Sequence, residues 1–463
     1  MAQTPHHQGI VPPYLLRQLA LHADASIAER ARASLLLDGE HRRRRAGVLP
    51  AARPRADAHP RDDGTCPLRT VSDTHSTTTL PGDVVRAEGA GPTGDAATDE
   101  AYDGLGATWG LFHDAYGRDS LDDAGLALDA TVHYGRDYDN AFWDGARMVF
   151  GDGDRSVFER FTLAVDVIGH ELTHGVTEKT AGLVYQGQSG ALNESLSDVF
   201  GSLVKQRVLG QDAAGADWLI GAGLFRPDVK GVALRSMKAP GTAYDDPVLG
   251  RDPQPATMAG YVDTSDDNGG VHTNSGIPNH AFYLAATGIG GDAASGAGQV
   301  WYDVLTGGSL PSDADFATFA ALTVRAAGAR FGSESSQARA VAAAWAQVGV
   351  DGSTRADGTA GGAAPTSGVV GVRRSGGLMG RSVQREVAVD AMPADRAREW
   401  RTLLTSGLLQ SLTEPEPAPD RYVYRVWCAA VDLDVTAGEQ QLPEHVRSTL
   451  DATLRSTEGS EPW

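Results

Sequence analysis

Cysteine is almost absent: Cys66 and Cys428 are the only two in 463 residues, and they lie far apart. A disulfide framework is therefore excluded, and the fold must rest on apolar cores. No stretch reaches the ~18 uncharged apolar residues that span a bilayer, so no membrane partner is expected. Basic charge is in deficit. Lys and Arg number 40 against 60 Asp and Glu, a net charge of −20 that disfavours nucleic acid and anionic surfaces. The N-terminus, Met-Ala-Gln-Thr-Pro-His-His-Gln, lacks a basic start followed by an apolar core. A conventional secretory signal is not expected, so the chain either stays in the cytoplasm or leaves the cell by another route. What the chain does have is length and an ordinary hydrophobic fraction, 41%, enough for two or three folded units with a core each.

Composition changes along the chain. Residues 1–60 carry Pro12-Pro13-Tyr14-Leu15-Leu16, read as a short helix, then Arg42 to Arg45 and an Ala/Pro/Arg-rich stretch. The arginine run reads as a solvated, protease-accessible arm in so acidic a chain. Residues 70–160 are rich in Thr, Val and Tyr with Gly/Asp turns, predicting strands and one helix over Asp99 to Tyr116. Beyond 160 the apolar spacing becomes helical, at Phe161 to Thr177, Glu194 to Leu209, Ala317 to Arg330 and Gln337 to Val348. A β-rich lobe followed by a helical lobe is an α+β arrangement, with a cleft expected between the two. Residues 351–368 are small and polar, a linker. After it, Val383 to Val389 and Tyr422 to Val426 read as strands and Ala394 to Leu409 as a helix.

One segment carries chemistry. His170-Glu171-Leu172-Thr173-His174 lies within a helical pattern, so the two histidines, four apart, project from one face and can reach one ion. Alone, the pattern is also met by a surface helix with two solvated histidines. Asn193-Glu194-Ser195-Leu196-Ser197-Asp198 follows in a second amphipathic helix. Glu194 is the candidate third ligand, and two His with one Glu leave a fourth tetrahedral position open. Asp198, one turn later, suits the second ring nitrogen of a ligand histidine, and Asn193 that of the other.

With these motifs the chain resembles the thermolysin family of metalloendopeptidases, and within it the protealysin-like precursors. The resemblance runs from about Val71 to Val350. It includes His133-Tyr134, Asn140-Ala141-Phe142-Trp143, the histidine helix, Ala181-Gly182-Leu183-Val184-Tyr185, the Asn193–Asp198 segment, Leu234-Arg235-Ser236-Met237 and Asp267-Asn268-Gly269-Gly270-Val271-His272. The resemblance implies a zinc-dependent neutral endopeptidase that hydrolyses peptide and protein substrates on the amino side of bulky hydrophobic residues. Glu171 then serves as general base toward a zinc-activated water. His272 and the Tyr185 hydroxyl stabilise the oxyanion, and Asp267 orients His272. Asn140 and the Ala141 backbone align the substrate as an added strand, and Arg235 binds the carbonyl just past the cleaved bond. Val167, Leu234, Phe158 and Ile220 line the pocket there. Read without the resemblance, Asn140 also fits an Asx turn, Tyr185, Val167 and Leu234 a core, His272 a turn and Arg235 an exposed cation.

The pattern departs from the family at its double calcium site. Asp166 and Asp217 stand at two of those positions, but Lys205, Leu219 and Ala222 occupy others. Calcium takes six to eight oxygen ligands, so the double site is not expected, and a different single calcium stays open. Lys205 is expected to set an ammonium between the two aspartates. Residues 1–60 resemble the pro-segment of protealysin-like precursors, and the C-terminal unit resembles emfourin, a small protein inhibitor of this group.

The expected organisation is therefore a pro-segment (1–60), an N-terminal catalytic lobe with the zinc helices (61–210), a helical catalytic lobe (211–352), a linker (353–368) and a small α/β accessory domain (369–463). The pro-segment and the accessory domain are both candidate inhibitors. Two other readings stand beside the active precursor: a catalytically silent binding protein, against which the intact Glu171 and ligand set argue, and a self-inhibited regulatory assembly.

Overall fold

The structure, a computed structural model, describes residues 9–47, 66–351 and, toward the C-terminus, 369–376, 382–392, 422–428, 433–442 and 444–455 with a few residues of 396–409. The chain forms two compact units, Gln3–Ala356 and, principally, Asp357–Trp463. Each has its own apolar core.

The larger unit opens with α1 (Pro13–Leu19) and α2 (Ala25–Gly47). Proline at the first position of α1 suits a helix start, where no amide hydrogen is needed. α2 was not foreseen, and the Arg42–Arg45 run lies in its last turns rather than in an irregular arm. Its buried residues, Ala28, Ala31, Ser34, Asp38 and His41, repeat at helical spacing. Because three of them are polar, apolar periodicity gives no sign of the helix.

The β-rich lobe is a mixed sheet of β1 (Arg69–Asp73), β2 (Asp83–Ala87), β3 (Leu128–Val132), β4 (Ala141–Trp143) and β5 (Met148–Phe150), in the order β2-β1-β3-β5-β4. The helix expected over Asp99 to Tyr116 is α3 (Ala96–Tyr116), capped by the Asp95 side chain and closed by left-handed Gly117. β4 pairs with β5 antiparallel, Phe142 opposite Val149, and forms one end of the sheet.

The predicted helix from Phe161 is divided. Phe161–Leu163 is a 3-10 turn, Ala164 is extended, and α4 runs from Val165 to Lys179. α5 (Gly187–Leu209) starts seven residues before Glu194, because its first turns hold Gly187 and Gly190, which hide the pattern. α4 and α5 pack closely at Gly169 and Gly201. A Cβ on Gly169 would lie 3.0 Å from the Gly201 Cα, and one on Gly201 would run into the Asp166 carbonyl. Glycine at this crossing lets α5 carry Glu194 to the histidine face of α4.

Two short antiparallel pairs follow, β6 (Leu219–Ile220) with β7 (Arg235–Ser236) and β8 (Asp245–Asp246) with β9 (Gly250–Arg251). The rest is helical: α6 (Asp267–Asn274), α7 (Gly276–Ile289), α8 (Gln299–Thr306), α9 (Phe316–Phe331) and α10 (Ser336–Gln347). The last two match the helices expected from 317 and 337 to within a residue. Among the described residues, no helix is long and apolar enough to cross a membrane.

In the smaller unit, a four-stranded antiparallel sheet of β10 (Val369–Gly376), β11 (Val383–Ala388), β12 (Tyr422–Cys428) and β13 (Leu433–Gly438) has the order β11-β10-β12-β13. A helix over Glu444–Arg455 follows and adds Val446, Leu450 and Leu454 to the core. The strands expected at 383 and 422 are present. The helix expected over Ala394 to Leu409 lies largely outside the described residues.

Candidate active site

α4 and α5 bring together the three residues singled out as ligands. One donor atom each from His170, His174 and Glu194 lies within 4.8 Å of the others, and all three residues are buried. His170 Nδ1 lies 2.8 Å from Asp198 Oδ1, and His174 Nδ1 lies 2.8 Å from Asn193 Oδ1. Asn193 donates its Nδ2 to the Leu183 carbonyl, which turns its oxygen toward His174. Both Nδ1 atoms therefore carry hydrogen, and the two Nε2 lone pairs face each other at 3.1 Å. Glu194 oxygens stand 3.5 Å from each Nε2. Glu194 Oε2 is buried and has no hydrogen-bond partner among the described residues. Two converging lone pairs and an orphaned carboxylate oxygen fit a cation bound between them, and two His with one Glu is a zinc set.

Electrostatics agree with that fit. Burial holds His174 down at about 3, keeping it in the neutral form a ligand requires. Burial alone would raise the Glu194 carboxyl, but the histidines 272, 174 and 170, with Arg235, bring it to about 2.

Glu171 is buried between the two histidines. The Trp143 amide donates to its Oε2 at 3.0 Å, while Oε1 has no partner among the described residues. Burial, then the charge on Glu194, pushes its carboxyl well above the usual range. Tyr185 donates its hydroxyl to Glu194 Oε1 and lies 3.4 Å from His272 Nε2. Asp267 holds His272 twice, at the amide (3.0 Å) and at Nδ1 (2.9 Å). Burial would lower His272, yet Asp267 and Glu194 raise it to about 9, so it is cationic near neutrality. Asp267 reaches around because the backbone from Asp267 to Gly270 is left-handed throughout, with φ between 51° and 81°. A Cβ on Gly269 would also press on Gly187 at 3.0 Å, so the two glycines serve both conformation and space.

The expected substrate-aligning residues meet the chain's own N-terminal segment. Gly9 forms an antiparallel bridge with Phe142 on the outer edge of β4. The Ile10 amide donates to the Ala141 carbonyl at 3.1 Å, and the Val11 amide donates to Asn140 Oδ1 at 3.0 Å. Arg235 donates to the Ile10 carbonyl at 3.0 Å and clasps Asp198 with its other nitrogens. Ile10 is fully buried in the apolar cluster that contains Val167, Leu234, Phe158 and Ile220.

α2 covers the same region with polar groups. Asp38 accepts from the Tyr138 hydroxyl at 2.6 Å and from Asn140 Nδ2 at 3.2 Å. Ser34 accepts from the Asp139 amide at 3.1 Å, and His41 Nε2 lies 2.8 Å from the Tyr134 hydroxyl. Ile10, Ser34, Asp38 and His41 were not singled out in the sequence. The spacing of the last three on one helix face was available as a signal, but nothing marked that face as an interface.

Lys205 Nζ lies 2.9 Å from Asp166 Oδ2 and 2.8 Å from Asp217 Oδ1, and it donates to the Leu219 carbonyl. An ammonium thus stands between the two aspartates, the arrangement expected from the sequence.

Comparisons with known proteins agree with this geometry. Two family models match in tandem, the thermolysin metallopeptidase catalytic domain over residues 60–178 and its alpha-helical domain over 181–350. A third, Emfourin, matches residues 372–454. An extracellular metalloprotease of Pectobacterium carotovorum subsp. carotovorum is 49% identical over 343 residues, 74% of this chain and 96% of that protein. Protease PrtS of Photorhabdus sp. (strain Az29) is 44% identical over 350 residues, 75% of this chain and 93% of that protein. Among solved structures, the precursor of protealysin, a metalloproteinase from Serratia proteamaculans, matches with a TM-score of 0.67 and 52% identity, over 74% of this chain and 99% of that one. With the His170–His174–Glu194 set, tandem matches to both thermolysin domains and near-full-length similarity to these proteases, the chain belongs to the thermolysin family of zinc-dependent metallopeptidases.

Proposed function

We propose that the protein is the precursor of an endopeptidase that cuts peptide chains on the amino side of bulky apolar residues, with Glu171 as its general base. The observation that carries this reading is the peptide strand already seated in the cleft. Gly9–Val11 is bound through Ala141, Asn140 and Arg235, with the Ile10 side chain fully buried. Zinc held by His170, His174 and Glu194 supplies Lewis acidity to a water and to the scissile carbonyl. Glu171, buried and with Oε1 free of other partners among the described residues, takes the proton of the attacking water and delivers it to the leaving amine. His272, cationic near neutrality, and the Tyr185 hydroxyl donate to the developing charge on the carbonyl oxygen. Arg235 and Asn140 fix the register of the substrate, and Val167 and Leu234 give its pocket an apolar wall.

In the precursor, residues 1–60 are the inhibitory pro-segment, whose Gly9–Val11 strand occupies this cleft. Residues 61–210 and 211–352 are the two catalytic lobes, and 353–368 is a linker. The accessory domain over 369–463 adds a second level of restraint, a reading favoured by the Emfourin match. The mature enzyme works outside the cell, as the name of the Pectobacterium relative says of that protein. Casein hydrolysis with and without a zinc chelator, followed by mapping of the cut sites, tests the assignment. Chelator-insensitive cleavage, or cuts with no preference for an apolar residue on the amine side, would refute it.

A further inference from the structure

The segment that fills the cleft lies along it in the sense of a substrate. Arg235 is the group expected to hold the carbonyl just past a cleaved bond, and the carbonyl it holds is that of Ile10. The residue just past the bond is then Ile10, and the bond itself is Gly9–Ile10. Three further contacts give the same register. The Ile10 amide donates to the Ala141 carbonyl and lies close to the Glu171 carboxylate. Glu171 thus stands beside the nitrogen that would leave. The Val11 amide, one residue on, takes Asn140 Oδ1 at 3.0 Å. Ile10, a bulky apolar side chain, is fully buried, as the residue after the bond should be.

The following residues hold this register. Pro12 is extended (φ −61°, ψ 144°), and Pro13 starts α1 at once. Proline fixes φ, so the strand enters the cleft at a set distance from a helix whose Leu15, Leu16 and Leu19 are buried. From the other side, Asp38 of α2 binds Asn140 Nδ2 while the strand binds Asn140 Oδ1. The bond is therefore presented with little left to organise, a condition that favours reaction as well as binding.

We infer that Gly9–Ile10 is a processing site that the protein hydrolyses in its own cleft, shedding residues 1–9 while the rest of the pro-segment stays bound. The inference rests on the endopeptidase reading above. The step is a plain hydrolysis. The C–N bond between Gly9 and Ile10 breaks, hydroxide from water joins the Gly9 carbonyl carbon, and the remaining proton goes through Glu171 to the Ile10 nitrogen. The product keeps Ile10 in the cleft with a free amine, still held by Arg235 and by α1 and α2.

The full-length protein is purified with zinc removed, zinc is added, and the N-terminus is followed by intact mass and N-terminal sequencing. The expected result is the loss of nine residues and a new terminus at Ile10, at a rate unchanged over a hundredfold dilution. Glu171→Gln should keep its original terminus, Ile10→Leu should still be cut, and Ile10→Asp should be cut at least about a hundredfold more slowly. Hydrogen exchange on zinc-free Glu171→Gln reads the register without any turnover, and slow exchange of the Ile10 and Val11 amides is expected. A terminus that stays intact in zinc-loaded full-length protein, when the same protein freed of its pro-segment hydrolyses an added Gly-Ile peptide, would overturn the inference and leave the endopeptidase reading standing. Failure to cut that peptide even after the pro-segment is removed would instead sink the endopeptidase reading. Fast exchange at Ile10, or a rate that falls with dilution, would also overturn the processing in cis.

Discussion

Arg235 and His170 share a single carboxylate. Asp198 receives Arg235 at both oxygens, at 2.8 and 2.7 Å, and its Oδ1 also takes His170 Nδ1 at 2.8 Å. Asn279 Nδ2 adds a further bond to Oδ2 at 2.8 Å. Burial would raise the Asp198 carboxyl, but Arg235 and His170 hold it far below the usual range, so it is charged at any working pH. The carboxylate that orients His170 therefore also orients Arg235, which holds the Ile10 carbonyl. Asp198→Asn should weaken zinc binding by about 10–100-fold, measured by chelator competition. It should also raise KM in protein resaturated with zinc. A change in one property without the other would show that the carboxylate does not link them.

Glu171→Gln separates metal binding from catalysis. The side chain is not among the three ligand groups, so zinc content after dialysis should equal that of the wild type. Turnover should fall by about 10²–10⁴. His174→Ala should lose the metal itself, seen as zinc absent after the same dialysis.

The Lys205 ammonium between Asp166 and Asp217 should make this part of the fold indifferent to calcium. A chelator that removes calcium but spares zinc should leave the melting temperature of the processed enzyme nearly unchanged. Lys205→Ala leaves a buried Asp166 whose pKa burial already raises, and it should destabilise the protein by a few kcal/mol, on the order of ~3. Added calcium should then restore part of the loss in the variant but not in the wild type.

His133 gives stability a dependence on alkaline pH. Its Nδ1 lies 2.9 Å from Asp152 and its Nε2 3.3 Å from Asp95, the residue that caps α3. The bond to Asp152 lifts the imidazole to about 9 against partial burial, with the Asp152 and Asp95 charges adding to the rise. A folded-state pKa above the unfolded one means that the stabilisation is full below about pH 6.5 and is lost as pH climbs through 9. Between pH 7 and 10 the wild type should lose several degrees of melting temperature more than His133→Asn does. Equal losses would remove His133 from the account.

Removing residues 353–463 should raise peptidase activity if the accessory domain restrains the enzyme. Adding the separate domain back should lower it. Equal rates with and without the domain, on a small peptide and with both proteins freed of the pro-segment, would remove it from regulation.

The sequence by itself determined the metal set, because its geometry is local. Two histidines at i and i+4 share a helix face wherever that helix lies, and Asp198 follows Glu194 by one turn of the next. It determined about half of the helices for the same reason, whereas the expectation that Lys205 stands between Asp166 and Asp217 came from comparing its position with the family's pattern. The roles of Asn140, Tyr185, Arg235 and His272 came from the resemblance to a family, since each residue alone fits a turn, a core or a surface.

Tertiary structure alone decided where residues 9–47 bind. Ile10 and Val11 bind mainly through backbone groups to the edge of a three-residue strand, and backbone hydrogen bonds leave no mark in side-chain pattern. α2 binds through Ser34, Asp38 and His41, whose polarity reads as solvent exposure until their partners at Asp139, Asn140, Tyr138 and Tyr134 are brought within reach. A buried polar face is stable only when its hydrogen bonds are made, and those partners lie about 90 to 105 residues further along the chain.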